Sequence, residues 1–76
     1  MTMSNSLFLN KEIYCPQYIE MAVQAYRSIA TVKIVSDKGY WVCVFEDCVY
    51  DNETTKREFE NYVIALVNRG IGNADM

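Results

Sequence analysis

The chain predicts an α+β fold of the order β-α-β-β-α: a three-stranded mixed sheet, strand order 1-3-2, with two helices packed on one face. Three observations predict it. Tyr40-Trp41-Val42-Cys43-Val44-Phe45 consists of β-branched, aromatic and cysteine residues, and both of its faces are apolar, as in a central strand. Two other stretches carry apolar residues at i, i+3, i+4 and i+7, the spacing of an amphipathic helix. The polar run Ser36-Asp37-Lys38-Gly39 separates the central stretch from residues 31–35, which are rich in β-branched side chains, as in an antiparallel hairpin.

The first strand falls over residues 7–13, where Leu7, Leu9 and Ile13 share a face. Pro16 suits the first turn of a helix, because its missing N–H has no partner there anyway. Cys15 then stands at the N-cap, a poor capping residue. The helix runs from Pro16 to about Ala30, with Ile19, Ala22, Val23, Tyr26 and Ile29 or Ala30 on its apolar side. In the hairpin turn, Gly39 is the residue expected in the left-handed conformation.

After residues 40–46, a kink or bulge at Glu46-Asp47 either continues the strand through Cys48-Val49-Tyr50 or leads into the second helix. The polar run Asp51-Asn52-Glu53-Thr54-Thr55 starts that helix, and Thr55 with Glu58 three residues on is a capping-box pattern. Phe59, Tyr62, Val63, Leu66 and Val67 form its stripe, Arg69 suits its negative pole, and Gly70 is the expected C′ residue. Residues 1–76 thus make one domain, with an ordered core of about 7–70 and tails at 1–6 and 71–76. A right-handed crossover makes the first two strands parallel and lets the third slot between them.

Composition narrows the function classes. Net charge is −3, and the seven basic residues are scattered, which opposes a nucleic-acid footprint. The absence of histidine removes the usual general base and the commonest zinc ligand. Cys15, Cys43 and Cys48 are an odd number with no CxxC pair, and residues 1–6 lack the features of a signal peptide. No apolar run approaches the roughly 18 residues of a membrane span. These features point to free thiols in the cytoplasm and to no membrane partner.

Candidate chemistry is sparse. Cys43 reads as a small core hydrophobe. Cys15 at a helix N-terminus is the one candidate for a cysteine-dependent enzyme, but no histidine can activate it. Glu46, Asp47, Asp51 and Glu53 could face a hard cation, yet they lack the glycine and spacing of a calcium loop. They read better as solvated charges near a helix N-terminus. Tyr18, Tyr26 and Tyr62 lie on or beside the helix stripes, as core or rim. No cofactor or metal is expected, and no catalytic role.

The fold itself supplies the functional expectation. Two helices on one face of the sheet leave the other open, yet the central strand is apolar on both, so either the open face is an interface or the second helix folds to the opposite face and closes the core. In the first case, either Trp41, Cys43 and Phe45 or Tyr40, Val42 and Val44 meet something outside the monomer. The candidate contacts are Tyr40, Trp41, Val42, Val44 and Phe45, for a protein or peptide partner or a second copy as a homodimer. An extended peptide could also add to an edge at residues 7–13 or 31–35.

Ala25-Tyr26-Arg27 on the first helix, the hairpin, and a last helix with Phe59-x-Asn61 and Arg69 resemble the small His-Xaa-Ser system protein HxsD family. The similarity spans about residues 7–70. Ala65 and Asn68 stand where that family tends to carry aspartate and leucine. The resemblance implies an accessory subunit of a peptide-modification system that includes a radical-SAM enzyme. It implies no active site on this chain.

Overall fold

A computed structural model describes residues 5–74, with side chains described for residues 5–69. The elements are β1 (Ser6–Asn10), α1 (Pro16–Ala25), β2 (Thr31–Asp37), β3 (Tyr40–Glu46) and α2 (Asn52–Ala74). The sheet order is β1-β3-β2, so the apolar stretch is the central strand. Every hydrogen-bonded strand pair is antiparallel. The sheet is therefore antiparallel rather than mixed. β1 and β2 do run parallel, but β3 lies between them.

Register settles which side chains share a face. Leu7 pairs with Cys43, and Leu9 with Trp41. Val32 pairs with Phe45, Ile34 with Cys43, and Ser36 with Trp41. Directly paired residues point the same way, so these make one face. Leu9, Val32, Cys43 and Phe45 from it are buried together with Ile19 and Ala22 of α1 and Phe59, Val63 and Val67 of α2. Both helices thus cover the same side of the sheet. Phe45 meets Phe59 edge-to-face, ring centroids 5.1 Å apart. Tyr26 packs on Phe59 and Tyr62, and its hydroxyl donates to the Glu58 carbonyl at 3.1 Å.

Boundaries differ from the sequence expectation where local chemistry intervenes. β1 ends at Asn10, because Asn10 Oδ1 accepts from Glu12 N–H and its carbonyl accepts from Ile13 and Tyr14, closing a turn. α1 stops at Ala25, and residues 26–29 form turns closed by bonds from Ile29 and Ala30 to the Tyr26 carbonyl. Cys15 makes no side-chain cap to α1. α2 starts at Asn52, within the expected polar run, and its cap is Asp51 rather than Thr55: Asp51 Oδ2 accepts from the Thr54 N–H at 3.1 Å. Thr55 lies inside the helix, buried, and its hydroxyl donates to the Asp51 carbonyl. α2 also continues past Gly70 to Ala74, through most of the expected tail. Residues 1–4 and 75–76 of the expected tails lie outside the described residues.

The hairpin is a two-residue turn, with Asp37 paired to Tyr40. Its left-handed residue is Lys38 (φ 53°), not Gly39. Asp47 also has φ 53°, and this ends β3 and turns the chain towards α2.

Candidate interaction surface

The remaining residues of the sheet form its second face. Ser6 pairs with Val44, Phe8 with Val42, and Asn10 with Tyr40. Thr31 pairs with Glu46, Lys33 with Val44, Val35 with Val42, and Asp37 with Tyr40. No helix lies on this side among the described residues, since both pack against the opposite face. The result is an apolar row across all three strands, Phe8–Val42–Val35, flanked along β3 by Tyr40 and Val44. Phe8, Val35 and Tyr40 keep 56%, 51% and 45% of their surface exposed. Phe8 and Tyr40 stack edge-to-face at 6.0 Å. Lys33 pairs with Glu46 at 3.5 Å at one end of the face.

Of the five residues expected to make contact, Tyr40, Val42 and Val44 lie on this open face. Phe45 and Trp41 do not. Phe45 is 1% exposed and belongs to the core. Trp41 points to the helix side, where its Nε1–H donates to the Tyr14 carbonyl at 3.2 Å. Lys11 Nζ lies 4.7 Å from the Trp41 ring centroid and donates to Ser36 Oγ. The two residues that sequence reasoning missed are Phe8 and Val35. Their signal was their alternation with Leu9 and Ile34, which register converts into a shared face.

The other candidate groups separate. Cys15 is exposed, Cys48 half-buried and Cys43 buried, and all three are free thiols. Burial pushes the Cys43 thiol up to about 12. Asp51 is occupied in capping α2, Glu53 pairs with Lys56 at 3.3 Å, and Glu46 pairs with Lys33. Among the described residues, no group of three or more His, Cys, Asp or Glu could hold a metal ion. A groove of about 490 Å³ lies between Ile29, Tyr50, Asp51, Thr54, Thr55 and Glu58, beside the start of α2. Among the described residues, no helix is long and apolar enough to cross a membrane.

Comparison with known proteins found no matching family model, no matching curated protein and no matching solved structure.

Proposed function

We propose that the chain is a small, non-catalytic interaction module that binds a protein or peptide partner, or itself, through the open face of its sheet. The observation that carries this reading is the Phe8–Val42–Val35 row, an apolar strip across three strands on an uncovered face. Apolar side chains in water on one side of a small sheet gain free energy when another surface covers them, about 25 cal/mol per Å². The HxsD-like resemblance favours an accessory subunit in a cytoplasmic peptide-modifying system, working beside a radical-SAM enzyme.

The test is capture of the tagged chain from its native host at near-natural expression, beside Val44→Glu. Wild type retains a stoichiometric partner or a second copy, and Val44→Glu loses it while keeping its circular dichroism spectrum. Equal retention by both proteins, or nothing retained by wild type, sinks the reading.

A further inference from the structure

The pairing of the strands suggests what covers the open face. On β2, Lys33 and Asp37 flank Val35 symmetrically, two residues to either side. On β3, Tyr40 and Val44 flank Val42 in the same way, and on β1 Ser6 and Asn10 flank Phe8. On β2 the two sides of the row Phe8–Val42–Val35 are therefore opposite in charge, Lys33 on one and Asp37 on the other, with Thr31 and Glu46 beyond Lys33. A two-fold axis along that row lays a second copy on the first with its strands reversed. Lys33 of one copy then stands over Asp37 of the other, twice. Tyr40 stands over Val44, and the row meets itself.

We propose that the occupant of the open face is a second copy of this chain, joined sheet-to-sheet about a two-fold axis along Phe8–Val42–Val35. This deepens the interaction-module reading and rests on it. Two twisted sheets pack in this way when their inner side chains are apolar, with strand directions within about 30° of each other. An extended peptide is a worse fit, because a sheet face presents side chains and leaves no backbone groups to pair with it.

The area suffices for a reversible dimer. Aromatic side chains bury about 150–250 Å² each, so Phe8, Val35 and Tyr40 at their observed exposure offer on the order of 300 Å². With Val42, Val44 and the stems of Thr31 and Lys33, the face offers on the order of 500 Å² per copy, or about 1,000 Å² in total, near the lower limit of specific interfaces. Charge complementarity adds the register. Each Lys33 has an acidic residue opposite, so the chain's negative balance does not oppose this contact.

The experiment is sedimentation equilibrium of the full chain from about 5 to 500 μM, a range that brackets a weak dimer. Wild type is expected to pass from monomer to dimer within it. Val42→Asp, on the face away from the core, raises Kd at least about tenfold. Val35→Lys, at the exposed edge strand, does the same and carries the test if Val42→Asp fails to fold. A charge swap then reads the register, in a Glu46→Gln background that removes the intrachain partner of Lys33. Lys33→Asp and Asp37→Lys each weaken the dimer about two- to fivefold, and the double variant recovers it.

A wild type that stays monomeric at 500 μM overturns the proposal, as does a dimer indifferent to both Val42→Asp and Val35→Lys. A monomeric wild type that still captures a different protein through Val44 leaves the interaction-module reading standing. A wild type with neither partner nor second copy removes both.

Discussion

Trp41 and Val42 are adjacent and both apolar, yet one lies against the helices and the other faces water. Alternation along a strand is all that separates them. At this scale the core and the open face respond differently to mutation. Phe59 is fully buried against Phe45 and Tyr26, so Phe59→Ala should cost about 3–5 kcal/mol, enough to unfold much of a small domain. Phe8→Ala should cost much less, because Phe8 is already half in water. Urea denaturation of the two variants side by side checks the contrast.

Cys43 supplies a pH dependence. Burial raises its thiol to about 12 in the native state, while the unfolded chain releases that proton near the ordinary free-thiol value of about 8.5. The native state then binds more protons than the unfolded one. Stability is full below that pH and is lost as pH rises towards the folded value. The unfolding free energy from urea titrations should fall by about 1 kcal/mol between pH 8 and 9.5. Cys43→Ala should flatten that fall, though from a lower starting stability because it leaves a cavity.

Among the elements, the ends of the strands and helices carry the decisions. Asp51 caps α2 through Thr54, so Asp51→Ala should cost about 1 kcal/mol, measured as a shift in urea midpoint. Thr55, with Glu58, matches the capping-box pattern in sequence but lies one turn inside the helix. The aspartate four residues earlier outcompetes it because a carboxylate also favours the positive end of the helix. Lys38 holds a left-handed conformation (φ 53°) that asparagine adopts more readily. Lys38→Asn should therefore raise stability by roughly 0.5 kcal/mol in the same assay.

For the whole molecule, the Cα extents of 45 × 28 × 15 Å describe a thin slab of two layers, one of helices and one of sheet. A third layer from a second copy would close the open face. If the copies pair there, the thermal midpoint of wild type should rise with protein concentration, because association stabilises the folded state by mass action. The midpoint of Val42→Asp should not change over the same range. A wild-type midpoint independent of concentration would argue against that pairing.

Much of the architecture is legible in the residues alone. Periodicity identifies both helical stripes. The double-sided apolar run marks the central strand, and the crossover rule with the hairpin yields the order β1-β3-β2. These are local signals, carried by neighbours a few positions apart. The sequence could not say which apolar face of β3 is buried, because Trp41, Cys43 and Phe45 are no more obviously inward than Tyr40, Val42 and Val44. Only tertiary packing decides that. Phe59 and Ile19 arrive from distant helices on the Cys43 side, and the strand register carries Phe8 and Val35 to the other face with Val42. The open face is a product of long-range pairing, and no window of the sequence holds all three of its strands.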